Sequence, residues 1–118
     1  MNKRQIGAQQ EEQAICYLEE RGVSVVIHNY RIKQGEIDII GYHNGYLVFI
    51  EVKYRKDNKL GDPAEAVDYK KQRTICRVAD FYRYTHGIGD NTAIRYDVIA
   101  ICGEEIIWYQ NAFTHIYK

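Results

Sequence analysis

Four charged side chains, Glu36, Asp38, Glu51 and Lys53, interrupt the stretch GEIDIIGYHNGYLVFIEVKYR, residues 35–55, which is otherwise strongly apolar. Asn44-Gly45 favours a two-residue type I′ reversal, so His43 should face Tyr46 and the numbers of every opposed pair should sum to 89. Asp38 then faces Glu51, Glu36 faces Lys53, Ile40 faces Phe49 and Tyr42 faces Leu47, all on one side of the hairpin. The reverse side carries Ile37, Ile39, Gly41, Val48, Ile50 and Val52, and apolar residues on both sides predict a central hairpin covered twice. Two carboxylates placed opposite one another have Cβ atoms only ~4.5–5.5 Å apart, and like charges there destabilise a sheet. One resolution is that one acid keeps its proton, the other that a hard divalent cation sits between the two; Lys53 alone neutralises one charge. The plainer alternative is a solvated open end at which the acids merely end the strands.

The elements around this hairpin follow from periodicity. A helix is expected near residues 3–21, with Gly7, Glu11, Ala14, Ile15 and Leu18 on one face and Gly22 at its end, so that Glu11 lies on the apolar stripe. Residues 24–30, SVVIHNY, form a β-branched strand ahead of the hairpin. Asp62-Pro63-Ala64-Glu65 has the residues of a helix start, predicting a helix to about Tyr84 with Val67, Ile75, Val78, Ala79 and Tyr82 inward. Lys71 interrupts that stripe; its alternatives are a stem packed on the stripe with its ammonium snorkelling out, or a functional group. IRYDVIAIC and EEIIWYQ complete the chain as strands, giving the order αβββαββ.

Composition bounds the class. At 118 residues with 46% hydrophobic and 27% charged residues and one proline, residues 1–118 form one domain rather than a disordered or fibrous chain. Three scattered cysteines without a CxxC pair predict reduced, buried thiols rather than a disulfide framework or zinc site. The amino terminus lacks the apolar core of a signal peptide and no run approaches a membrane span, so a cytoplasmic protein with no membrane partner is expected. Net charge is zero, but between Lys53 and Arg77 eight basic residues outnumber four acidic ones. A solvated loop and helix face would explain that excess; so would a polyanionic partner. Most of the eleven tyrosines are expected to fill the core or its rim rather than stack on bases.

The ordered set Gly7, Glu11-x-x-Ala14, GEID, FIEVKYR, Gly61-Asp62-Pro63, Val67…Lys71-Gln72, RYDV and the late Asn111-Ala112-Phe113 resembles the YraN-like bacterial family. That family belongs to the PD-(D/E)xK restriction-endonuclease-like nucleases and is similar to archaeal Holliday-junction resolvases. The resemblance covers nearly the whole chain, with Ile37 in place of the proline that names the motif. It implies a three-layer α/β restriction-endonuclease-like fold, a mixed central sheet flanked by helices. It also implies Mg²⁺ or Mn²⁺ held by Asp38, Glu51 and the carbonyl of Val52, with Lys53 near the attacking water, Glu11 brought to the site from the first helix, and Lys71 or Gln72 completing it.

Phosphodiester hydrolysis needs such groups on physical grounds. Hard oxygen ligands suit a cation that polarises a phosphate and acidifies water, and a lysine orients the nucleophile or stabilises charge in the transition state. Glu36 has two readings, a site group or a salt bridge to Lys53. Arg55, Lys56, Lys59, Lys70, Arg73 and Arg77 would hold DNA through its phosphates, without reading sequence. The expectation is therefore a metal-dependent DNA endonuclease selective for structure, branched DNA included, with a homodimer following from the resolvase resemblance. The alternatives are an interaction module that keeps the fold but cleaves weakly or not at all, and a hydrolase of another phosphodiester.

Overall fold

A computed structural model describes residues 3–55 and 67–117. Helix α1 spans Lys3–Glu20, strands β1, β2 and β3 span Ser24–Ile32, Gly35–His43 and Tyr46–Tyr54, helix α2 spans Tyr69–Thr85, and strands β4 and β5 span Ile94–Cys102 and Glu105–Phe113. The five strands lie in the sheet in chain order; only β3 and β4 are parallel, and α2 makes the crossover between them. The expected αβββαββ order and mixed sheet are therefore present.

Each helix covers one face. Ala14 and Leu18 of α1 pack with Ile39, Val48, Ile50, Ile99 and Ile101. On the other face Ile75, Cys76, Val78, Ala79 and Tyr82 of α2 pack with Ile40, Leu47, Phe49, Tyr96 and Val98. A sheet with both faces buried explains why β2, β3 and β4 are nearly continuous apolar runs. Gly22 ends α1 at φ +94°, a conformation glycine adopts without Cβ strain, while the Val23 N–H donates to the Leu18 carbonyl at 3.0 Å.

The hairpin register follows the Asn-Gly turn: pairs run from His43–Tyr46 to Ile39–Ile50, with Asn44 at φ +50° and Gly45 at φ +84°. Three expectations need correction. First, strict alternation fails at Asp38, because Ile37 joins Ile40 in the α2-side core instead of sharing the α1 side with Ile39. β1 breaks in the same place, with Ile27 and Tyr30 both packed against the α2-side core and Asn29 between them at φ +55°. A left-handed residue twists one strand, and its neighbour follows.

Second, α2 does not run unbroken from Asp62. Val67 and Asp68 are non-helical, and Asp68 caps the helix at φ −69°, ψ 169°, its carboxylate accepting the Lys71 N–H at 2.8 Å. The Asp62-Pro63-Glu65 start itself lies outside the described residues. Third, the cysteines are free as expected, but Cys16 is exposed, being off the buried stripe of α1, and Cys102 is half-buried. Among the described residues no helix is long and apolar enough to cross a membrane.

Candidate carboxylate and metal site

The regular pairing of β2 with β3 ends at Ile39–Ile50, one pair short of Asp38 and Glu51. Beyond it the strands no longer exchange a regular ladder, and Asp38 Oδ2 accepts the backbone N–H of Val52 at 2.8 Å. Asp38 also forms a side-chain hydrogen bond with Glu51. The two acids therefore meet as expected, although not as a flush cross-strand pair.

Glu51 is 7% exposed. Burial first, and then the hydrogen bond and charge of Asp38, push its pKa up to about 8 against the opposing pull of Lys71 and Lys53. Near neutral pH, with no metal present, Glu51 keeps its proton and donates it to Asp38. The first of the two resolutions considered for the carboxylate pair thus operates in the metal-free protein. Lys71 Nζ lies 3.5 Å from Glu51 Oε2, so the lysine that interrupts the inward stripe of α2 points at the acids. Gln72 is engaged elsewhere, its side-chain amide donating to the Val67 carbonyl at 2.8 Å. Between Lys71 and Gln72, it is Lys71 that meets the site.

Glu11 enters from α1. It shares a cleft of about 280 Å³ with Asn29, Arg31, Glu36, Asp38 and Val52. Burial, followed by the charge of Asp38, raises the Glu11 pKa, while Asn29 and the His28 ring act to lower it. Oε1 of Glu11 is buried and accepts no hydrogen bond among the described residues; the His28 ring nitrogen is 3.7 Å away. Asp38 is thus the common neighbour of two acids from different elements. A larger groove, about 650 Å³, continues from Glu11 and Asn29 between α1 and β1, away from Asp38 and Glu51.

Glu36 is not opposite Lys53. Its β-sheet partner is Arg31, which binds Glu36 Oε2 through Nη2 at 2.9 Å and Nε at 3.2 Å. The hairpin register implied a Lys53 pair; the earlier end of the β2–β3 ladder and continued β1–β2 pairing replace it. Lys53 is half-buried on β3, two residues beyond Glu51. The contact recorded for Val52 is through its N–H, on Asp38.

Of the basic residues expected to hold DNA, Lys56 and Lys59 lie outside the described residues. Arg55 closes the run after β3, its N–H donating to the Ile101 carbonyl at 2.8 Å. Lys70, Arg73 and Arg77 are exposed on α2, and Arg73 and Arg77 border a small cleft with Asp80.

Sequence reasoning missed two features. One is Asn29, read only as part of a β-branched strand, although asparagine is disfavoured there and tolerates left-handed backbone. The other is a buried polar cluster. Arg95 donates to both Asp97 oxygens at 2.9 Å, and Trp108 Nε1 and the Asn111 N–H add further 2.9 Å hydrogen bonds to Asp97. Arg95 also meets His43 Nδ1 at 2.9 Å. Arginine and aspartate two apart on an otherwise apolar strand share a face, which was the available signal.

Among the described residues no group of three His, Cys, Asp or Glu side chains forms a ready cage for a metal ion. The donor set nevertheless fits a hard divalent cation. Mg²⁺ is ordinarily held by one or two carboxylates with water and phosphate completing the shell, and a cation would relieve both the shared proton of Asp38–Glu51 and the orphaned oxygen of Glu11.

The family model described as "Uncharacterised protein family UPF0102" matches residues 10–101. A UPF0102 protein of Lachnoclostridium phytofermentans is 43% identical over 113 residues, 96% of each chain. UPF0102 proteins of Cytophaga hutchinsonii and Alkaliphilus oremlandii are 45% and 47% identical over 102 residues, covering 86% of this chain and 88% and 86% of theirs. The chain therefore belongs to the UPF0102 (YraN) family of the restriction-endonuclease-like superfamily.

Proposed function

We propose that this protein is a metal-dependent DNA endonuclease, selective for nucleic-acid structure rather than sequence, with branched DNA within its range. The carrying observation is the meeting of Asp38 with both Glu11 and Glu51 at the open end of the central hairpin, with Lys71 3.5 Å from Glu51. Two acids crowded around a third carboxylate are costly for a sheet end and useful for binding a cation.

Asp38, Glu51 and the Val52 carbonyl would hold Mg²⁺ or Mn²⁺. Such an ion, when bound, supplies charge to the scissile phosphate and makes hydroxide available near neutral pH. The chain's own groups do the rest. Lys53 orients the attacking water and stabilises charge gathering on the phosphate oxygens. Lys71 balances the charge of Glu51 once that acid gives up its proton. Glu11 accepts hydrogen bonds from water in the cleft and fixes its direction. Arg55, Lys56, Lys59, Lys70, Arg73 and Arg77 take the flanking phosphates, which positions a strand without reading its bases. A cytoplasmic location suits a DNA substrate, and a second copy would offer a second site to a branched one.

Purified protein with Mn²⁺ should cut at least one of linear duplex, single-stranded or four-way-junction DNA. Asp38→Ala should lower the rate by at least about a hundredfold with the circular dichroism spectrum unchanged. If none of the three substrates is cut, and Asp38→Ala leaves DNA affinity as it was, the protein is a binding module that has kept the fold.

A further inference from the structure

The geometry points to Asn29 as a positioning residue of the carboxylate site: its left-handed backbone turns Asp38 toward the cleft, and its side-chain amide serves the carboxyl of Glu11 from within that same cleft. This rests on the functional reading above and adds to it a residue outside the acid and lysine set.

His28 pairs with Ile39 and Tyr30 with Ile37, which leaves Asn29 directly opposite Asp38. Neither residue enters a regular pair, and alternation breaks in both strands at this point, as Ile27 with Tyr30 and Ile37 with Ile40 reach the same core across a three-residue step. Asn29 stands at φ +55°, which a β-branched residue of the surrounding VVIHNY run would resist. Without that twist, a regular β2 would send Ile37 to the α1 side and Asp38 into the α2-side core. With it, Asp38 lines the cleft that Glu11 enters from α1.

The side chain has a separate task. Asn29 lines the same cleft as Glu11 and acts to lower its pKa, against the charges of Asp38 and Glu36 that raise it. A neutral amide offers two N–H donors and adds no charge to a cluster already rich in carboxylates. Glycine would supply the backbone without the donor, and aspartate would supply the backbone with a third repelling charge. Asparagine answers both demands, and among the described residues Glu11 Oε1 still has no hydrogen-bond partner, which leaves it to a ligand.

The two tasks separate by substitution. Asn29→Gly should melt within a few degrees of wild type yet bind Mn²⁺ about 10–100-fold more weakly by calorimetry, since it loses only the group that orients Glu11. Its cleavage should need correspondingly more Mn²⁺, with the KM for DNA unchanged. Asn29→Ala should show the same loss and a lower melting temperature, because alanine resists φ +55°. An Asn29→Gly protein equal to wild type in Mn²⁺ affinity and Mn²⁺ requirement overturns the role of the amide.

Wild-type protein that neither binds Mn²⁺ nor cuts DNA would overturn the nuclease reading instead. The positioning claim is then decided on metal-free protein by NMR: the Asn29 side-chain amide signals should move on Glu11→Gln, and signals that stay in place overturn it.

Discussion

At the scale of single residues, the decisive group is Glu51. A carboxyl that is 7% exposed and hydrogen-bonded to Asp38 has its pKa pushed up to about 8, so the folded chain holds a proton that the unfolded chain releases near 4.5. A raised folded-state pKa contributes stability that is fully present below the unfolded value and is lost as pH rises through the folded one. Without metal, the protein should therefore weaken between about pH 4.5 and 8, by up to several kcal/mol at 1.4 kcal/mol per unit. Glu11 is also raised and acts in the same direction. Glu51→Gln should be at least as stable as wild type at pH 8 and should flatten most of this slope. Urea midpoints at pH 5, 7 and 9 measure it; an unchanged slope in the variant would assign the proton to another group.

At the scale of elements, one device occurs twice. Asn29 at φ +55° interrupts β1 opposite Asp38, and Asn111, also at φ +55°, interrupts β5 where the β4–β5 register shifts between Tyr96 and Val98. The outcomes differ. Asp97 is sealed by Arg95, Trp108 and the Asn111 N–H, whereas Asp38 opens on a cleft with Val52, Glu11 and Glu51 around it. Asp97→Ala should cost about 3–5 kcal/mol, because Arg95, itself buried, loses its partner. Asp38→Asn, which removes the charge that raises both Glu11 and Glu51, should leave metal-free stability at pH 9 equal or higher. Urea unfolding of the two variants decides; equal large losses would make Asp38 a structural residue. This contrast also marks what the sequence could tell. Charges on apolar faces gave away Asp38, Glu51, Lys71 and Glu11, and Asn44-Gly45 set the hairpin register. Asn29 carries no charge, so the twist it imposes, and with it the Arg31 pairing of Glu36, was invisible to a period-two reading. The start of α2 was hidden because Asp62-Pro63-Glu65 is a stronger local capping signal than Asp68-Tyr69-Lys70-Lys71, although the described helix uses the latter.

At the scale of the molecule, net charge is zero, so attraction to a polyanion has to be local. Lys70, Arg73 and Arg77 recur at helical spacing on the exposed side of α2, and the stripe starts one residue from Lys71, which reaches Glu51. Seven residues of helix rise about 10 Å, the axial span of roughly three phosphates along one strand. Asp80, next along α2, opposes part of this charge, but it is 3.3 Å from His115 Nε2 and 3.7 Å from Arg83 and is therefore already partnered. The stripe should thus act as three phosphate contacts leading away from the acids. Replacing all three by Gln should reduce the slope of log affinity against log salt by about 2–3 and weaken linear and branched DNA alike, since phosphate contacts carry no sequence. The cleavage rate at saturating DNA should change little, because none of the three meets the acids. A salt slope left unchanged would instead send the strand across Arg55 and the residues after β3, with α2 serving the site only through Lys71.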